Sequence, residues 1–214
     1  MIKKLLLGLV AVIAVLCAVV ATQPATFHVE RSATVPGPPE VAYDIVNDFH
    51  RFGEWSPWEK LDPNMKKTFE GPKSGVGGKY TWTGNDDVGA GSMEIVSVEE
   101  NKKVTMDLHF LKPFEASNKT TYSFAAEGTG TKVTWAMDGA NNFMAKAFGL
   151  VMDMDKMIGA DFERGLASLA TVAEAEVKQR AEDEAAAIRE AKALAAEAEA
   201  AAAAGDESGD AGAP

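Results

Sequence analysis

The spacing of the apolar residues changes near residue 140, and this change limits the fold more than any other feature of the sequence. Residues 26–138 form short segments in which apolar and polar residues alternate, as in half-buried β-strands. From Phe143 to Leu169 the apolar residues recur every three or four positions, which predicts one long amphipathic helix. The chain is therefore predicted to be an α+β protein in which a curved antiparallel sheet wraps around a long helix.

The alternating part predicts seven strands, with two short helices after the first. Residues 36–39 are Pro-Gly-Pro-Pro, which ends the first strand, and Pro39 suits the first turn of a helix. A second short helix is predicted from Asp48 to about Trp55, because Pro57 cannot continue it. The apolar phase shifts within the fourth strand, which indicates a β-bulge or burial of both faces. The predicted strands are Thr26–Val35, Met65–Glu70, Lys79–Thr83, Ser92–Glu99, Lys103–Phe110, Ser117–Ala126 and Lys132–Asp138.

An uncharged apolar segment, Leu5 to Ala21, follows Lys3 and Lys4 at the N-terminus. As a helix its 17 residues would span roughly 26 Å, close to the ~30 Å hydrocarbon core of a bilayer. Its length favours an uncleaved single-pass membrane anchor, and the alternative is a secretory signal that is cleaved near Ala21. In both cases the two lysines stay in the cytoplasm and the rest of the chain is extracytoplasmic.

The formal net charge of −11 is concentrated at the C-terminus, where residues 174–214 hold 11 acidic and four basic side chains. A nearly neutral body with an acidic tail does not attract phosphate groups, so no nucleic-acid partner is predicted. The single cysteine, Cys17, excludes intramolecular disulfides and cysteine-ligated clusters. The three histidines, His28, His50 and His109, lack metal-ligand spacing, so neither a metal site nor a cofactor is predicted.

Three parts are predicted along the chain. Residues 1–23 form the transmembrane anchor or signal segment, residues 24–173 the folded domain, and residues 174–214 an Ala/Glu-rich extension. The extension favours helix but offers no large apolar face, so it is interpreted as a helical stalk with a disordered acidic end. A protein partner for this tail, or a weak coiled coil through its few large apolar residues, is left open.

Four segments of the sequence resemble a known family. They are Pro38-Pro39-Glu40-Val41-Ala42-Tyr43-Asp44-Ile45-Val46-Asn47-Asp48, then Trp55-Ser56-Pro57-Trp58, then Gly75-Val76-Gly77-Gly78-Lys79-Tyr80-Thr81-Trp82, and Met154-Asp155-Lys156 with Phe162-Glu163-Arg164-Gly165-Leu166. The family is the START-like (SRPBCC) superfamily, in its polyketide cyclase/dehydrase-like branch, and the resemblance covers roughly Thr26–Ala173. It implies a helix-grip fold with a hydrophobic cavity between sheet and helix. It supplies no shared catalytic motif.

Aromatic and methionine side chains fall mainly on the inward phases of the predicted strands or near the two short helices. An ordinary core would look the same, but in a helix-grip fold some of these residues line the space that the helix leaves. Buried Trp and Tyr side chains also bring N–H and O–H groups that orient the polar end of a ligand. The predicted cavity-lining residues are Trp55, Trp58, Tyr80, Trp82, Met106, Leu108, Phe110, Tyr122, Phe124, Trp135, Phe143 and Met154.

Three functions are compatible with this pattern. The first is a membrane-tethered binding domain for a hydrophobic small molecule such as a lipid, an isoprenoid or a polyketide-like compound. The second is a cyclase- or dehydratase-type enzyme acting on an apolar ligand, whose acid/base groups would be Asp, Glu, His or Tyr side chains of the cavity. The nearby candidates are Glu54, Glu59, Asp107 and Asp138, although Asp107 faces outward by its strand phase and none of the four forms an evident pair. The third is a structural or interaction protein whose pocket is filled by its own side chains.

Overall fold

The alternating segments form one seven-stranded antiparallel sheet, and the helices follow in the predicted order, so the helix-grip α+β fold is confirmed. The structure is a computed structural model that describes residues 2–206. The strands are β1 (Thr26–Pro36), β2 (Lys66–Glu70), β3 (Lys79–Thr83), β4 (Ala90–Glu99), β5 (Lys103–Lys112), β6 (Ala116–Glu127) and β7 (Gly130–Ala140). The helices are α1 (Ile2–Ala21), α2 (Pro39–Val46), α3 (Phe52–Trp55), α4 (Phe143–Gly149) and α5 (Met154–Asp206), with a 3-10 turn at Phe49–Arg51 before α3.

The sheet is a meander from β2 to β7, and β1 returns to pair with β7. The register of that last pair runs from Thr26 opposite Ala140 to Pro36 opposite Gly130. The predicted bulge in β4 is confirmed, because its register with β5 shifts between Ile95 and Ser97. The shift places Val98 opposite the buried Val104, which accounts for the change of apolar phase in this strand.

One face of the sheet is buried. The short helix α2 contributes Val41, Ile45 and Val46 to the core, and α5 contributes Phe162, Leu166 and Leu169 at helical spacing. The strand residues that are buried on this face alternate along each strand. They include Tyr80, Trp82, Met93, Ile95, Val104, Met106, Leu108, Tyr122, Phe124, Val133, Trp135 and Met137.

A glycine sets the distance between α5 and the sheet. Trp135 of β7 stacks on Phe162 of α5, with ring centroids 4.1 Å apart and planes inclined by 9°. A Cβ atom on Gly165 would lie 2.6 Å from Cζ3 of Trp135 and 3.2 Å from Cδ of Pro57. Glycine at this position therefore allows the helix to approach the indole ring closely.

Arg31 of β1 binds the first turns of α5. Its Nη2 atom lies 2.9 Å from Oδ2 of Asp155, and its Nε donates to Oε1 of Glu163 at 3.0 Å. The hydrogen bond with Asp155 raises the pKa of Arg31 and lowers the pKa of Asp155. A Cβ atom on Gly159 would collide with the guanidinium group, so this second glycine lets Arg31 cross over the helix.

The prediction of one unbroken helix from Phe143 is wrong, because α4 ends at Gly149 and α5 begins at Met154. The side chain of Asn142 caps α4 by accepting from the backbone N–H of Ala145 at 2.8 Å. The side chain of Asp153 accepts from the backbone N–H of Lys156 at 3.1 Å at the start of α5. The apolar spacing continues across residues 150–153, so periodicity alone does not reveal the interruption.

The described residues divide into two compact units, and the second begins at Ala175. Its described part is helical to Asp206. Side chains four residues apart support it, including Arg180 Nε at 2.9 Å from Oε1 of Glu176. The disordered end predicted beyond this helix falls outside the described residues.

We expect Gly165→Ala to lower the free energy of unfolding by about 1–3 kcal/mol, because the added methyl group forces Trp135 or α5 to move. Denaturant unfolding of the full chain in detergent measures this change. Gly149→Ala is the control, since nothing lies within 4 Å of a Cβ atom at that position. Equal stability of the two variants would show that α5 tolerates a greater distance from the sheet.

Candidate functional site

An aromatic cluster lies where α3, β6, β7 and α5 meet on the buried face of the sheet. Trp135 is at its centre, with Trp55 at 5.6 Å, Trp58 at 5.7 Å and Tyr122 at 5.0 Å between ring centroids, besides its stack on Phe162. The rings of Trp55 and Trp58 meet Trp135 edge to face, the arrangement that the ring quadrupole favours. The cluster is therefore a packed, specifically oriented group of side chains.

Three polar atoms inside this region have no hydrogen-bond partner. They are Nε1 of Trp55, Nε1 of Trp135 and Oγ of Ser56, and the exposure of these residues is 1%, 2% and 0%. A buried polar atom that stays unpaired costs about 1–3 kcal/mol, so such atoms are rare without a reason. Two of the three groups are obligate N–H donors, which suit an oxygen acceptor.

A second set of rings covers the β3 side of the buried face. Tyr80 and Trp82 stack with centroids 5.7 Å apart, and Phe110 meets Trp82 edge to face at 5.9 Å. Here the indole N–H is satisfied, because Nε1 of Trp82 donates to the carbonyl of Val88 at 3.1 Å. The tryptophans of the buried face thus differ in whether their donors have partners.

Glu59 is a nearly buried acidic residue beside Tyr80, and its side chain is 6% exposed. The hydroxyl of Tyr80 donates to Oε1 at 2.6 Å, and Nζ of Lys67 lies 2.5 Å from Oε2. Burial, and then the hydrogen bond to Glu59, raise the pKa of Tyr80. Both oxygens of Glu59 are engaged, so this group connects residues 56–60 to β2 and β3.

The other candidate acid/base residues lie at the surface. Glu54 accepts from Arg51, Asp107 from Lys119 at 2.5 Å, and Asp138 pairs with His28 at 2.7 Å. Within the described residues no group of three or more His, Cys, Asp and Glu side chains is arranged to hold a metal ion.

The predicted cavity-lining residues fall into three sets. Trp58 and Phe110 are half-buried, and Phe143 and Met154 are exposed on α4 and at the start of α5, away from the aromatic cluster. The role of all twelve predicted residues in binding a ligand remains a prediction. The buried members are Trp55, Tyr80, Trp82, Met106, Leu108, Tyr122, Phe124 and Trp135.

Two open grooves lie outside this cluster. A groove of 840 Å³ runs across β1, β5, β6 and β7 on the outer face of the sheet, and polar side chains line it, His28, Asp107 and Lys119 among them. A second groove of 480 Å³ lies between residues 23–27, α4 and residues 149–154. Neither groove was predicted from the sequence. The polar residues that alternate along neighbouring strands could have indicated the first groove.

Comparisons with known proteins identify the same fold and a family. A family model described as polyketide cyclase / dehydrase and lipid transport matches residues 26–174, and no curated protein matches the sequence. A solved structure from Rhizobium leguminosarum is 14% identical with a TM-score of 0.52, covering 70% of this chain and 95% of that one. A solved structure from Chromobacterium violaceum is 15% identical with a TM-score of 0.50, covering 71% of this chain and 99% of that one. The di-domain ARO/CYC protein StfQ from the steffimycin biosynthetic pathway is 12% identical with a TM-score of 0.52, covering 72% and 52%.

The three tyrosines provide a pH test of this buried face. Burial is the main cause that raises the pKa of Tyr43, Tyr80 and Tyr122, so none should ionise in the folded chain at about pH 10, where free phenols titrate. Because each folded pKa exceeds its unfolded value, the stability they contribute is complete below about pH 10 and is lost as pH rises further. Phenolate absorbance, recorded with and without denaturant, measures this difference. Glu59→Gln should lower the pKa of Tyr80 and leave the pKa values of Tyr43 and Tyr122 unchanged. Ionisation of the tyrosines near pH 10 in the folded chain would contradict their buried placement.

Proposed function

Since the chain belongs to the polyketide cyclase/dehydrase and lipid transport family, we propose that it is a membrane-tethered binding protein for a hydrophobic small molecule that carries an oxygen acceptor. Lipids, oxygenated isoprenoids and polyketide-like compounds have this chemistry. The observation that supports the proposal is the set of unpartnered donors, Trp55 Nε1, Trp135 Nε1 and Ser56 Oγ, inside the aromatic cluster. The family description, which combines polyketide chemistry with lipid transport, agrees with an apolar ligand.

The ligand would gain affinity from two sources. Its apolar part would leave water at about 25 cal/mol per Å² of buried surface, which gives several kcal/mol for a few hundred Å² before ordering costs. Its oxygen would pair with donors that are already desolvated, so no further cost of stripping water from the protein arises. An aromatic lining with a few placed polar groups is the common composition of sites for such molecules.

In this proposal α1 tethers the protein to a membrane. The helix is 20 residues long and contains an 18-residue window with a mean hydropathy of 2.8, which is sufficient by length and composition for a membrane span or a signal sequence. Lys3 and Lys4 would remain in the cytoplasm and place residues 24–173, the binding domain, outside it.

Removing one indole N–H tests the binding site. We expect Trp135→Phe to lower the affinity for a long-chain ketone by about two- to tenfold, the value of one hydrogen bond, relative to the alkane of the same length. Native mass spectrometry of the full chain released from mild detergent measures the bound fraction of each compound. The same spectra of protein taken gently from its source would reveal a ligand that co-purifies.

Trp82→Phe is the matched control, because the donor of Trp82 already has a partner in Val88. It should leave the ketone-to-alkane ratio unchanged. If both variants alter the ratio equally, the free donors do not contact the ligand. If the chain binds neither compound, the interior is filled by its own side chains and the interaction-protein hypothesis is favoured.

Protease treatment of intact cells with a permeable outer envelope tests the tether. We expect digestion of the domain while a cytoplasmic marker survives, because the lysines before α1 favour the N-in orientation. Full protection of the domain would reverse the topology. A mature N-terminus at Thr22 would show that the segment is a cleaved signal and that the domain is released.

A second function is favoured by one observation, the contact of Glu59 with Tyr80 beside the aromatic rings. A cyclase- or dehydratase-type enzyme could use such a pair for proton transfer if the ligand displaced one partner. Conversion of a bound ligand by the wild type, lost in Tyr80→Phe while binding persists, would support the enzyme. An unaltered ligand mass after incubation would support binding alone.

A further inference from the structure

The exposed apolar side chains of the folded domain are unevenly distributed. Between residues 22 and 174, all the large ones except Leu61, Phe69 and Val76 lie in two segments, residues 111–114 and 143–157. Val151 is 82% exposed, Phe114 61% and Phe143 52%. We name these two segments the apolar end. Such a concentration of water-exposed apolar groups marks an interaction surface.

The strand register brings both segments to the same end of the sheet. Thr26 at the start of β1 pairs with Ala140 at the end of β7, and Gly139 pairs with Asn118 near the start of β6. Residues 111–114 include the end of β5 and the start of the connection to β6, and α4 begins shortly after β7. Residues 149–154 and residues 23–27 line the same groove, which confirms that these loops are neighbours.

The chain also leaves α1 at this end. Only residues 22–25 separate α1 from β1, and four extended residues span at most about 14 Å. Helices α1 and α4 contact each other, and Val20 near the end of α1 is buried. A bilayer crossed by α1 would therefore lie against the apolar end and not against the opposite end of the sheet.

We propose that the apolar end inserts into the interfacial region of the bilayer that α1 enters, so that α4 and residues 150–152 lie among the lipid headgroups and upper acyl chains. The proposal rests on the proposed tether. The occupant is a lipid surface because the apolar residues adjoin the exit of α1. An amphipathic segment in this position buries its apolar side about 5–10 Å below the headgroups.

Single fluorophores on the full chain test the proposal. Cys17 is the only cysteine, so Cys17→Ser combined with Val151→Cys gives one site for an environment-sensitive dye such as NBD. The control is Cys17→Ser with Val76→Cys, because Val76 is 56% exposed and precedes β3 at the opposite end of the sheet. Both positions are at the surface, so the substitutions spare the core.

In phosphatidylcholine vesicles we expect the dye at residue 151 to shift to shorter wavelength and to be quenched by lipids that carry a nitroxide near the glycerol backbone. The dye at residue 76 should show neither effect. Labelling Cys17 in the wild type reports separately on α1, because that residue lies within the proposed span.

Each outcome decides the question. Quenching at Cys17 without quenching at residue 151 overturns insertion of the apolar end and leaves the tether intact. No quenching at Cys17 overturns the tether and this proposal with it. A blue shift at residue 151 that nitroxide lipids do not quench would mean that protein, a second copy or another partner, covers the apolar end.

Discussion

The close approach of α5 to β7 at Gly165 is the constraint on which the rest of the domain depends. Because no side chain separates the helix from the sheet there, Trp135 stacks directly on Phe162 and also contacts Trp55, Trp58 and Tyr122. One indole ring thus joins elements that are far apart in the sequence. The core is organised around this contact. Arg31 lies on β1, the strand that pairs with β7, and binds Asp155 and Glu163 in the first turns of the same helix.

The same packing creates the chemistry of the candidate site. Bringing α5 onto the sheet removes the indole nitrogens of Trp55 and Trp135 from water, yet it provides them with no acceptor. Trp82 shows that the fold can satisfy such a donor with a nearby carbonyl. Each unpaired donor reduces the stability of the fold, because its desolvation is not compensated by a hydrogen bond. The oxygen-bearing apolar ligand proposed above would supply the acceptor that these donors lack.

Much of the fold could be predicted because strands with one buried face show their period directly in the sequence. The bulge in β4 was visible as a change of phase, and Pro57 marked the end of α3. The partners inside the site could not be predicted. Glu59 and Tyr80 are 21 positions apart, and only the packed position of residues 56–60 brings the two side chains together. Likewise, alternation shows that a tryptophan faces inward but not whether its N–H finds an acceptor.

The one wrong element, the unbroken helix from Phe143, coincides with the surface proposed to meet the membrane. In a continuous helix, Phe143 would belong to the same apolar face as Phe162, which is buried against the sheet. The interruption between Gly149 and Met154, stabilised by the side chains of Asn142 and Asp153, separates α4 from that stripe and lets it contact α1 instead. Disagreement between local pattern and final structure is expected where a surface is kept for function. Apolar periodicity that continues through a helix break is consistent with two different apolar environments, the protein core on one side and a bilayer on the other.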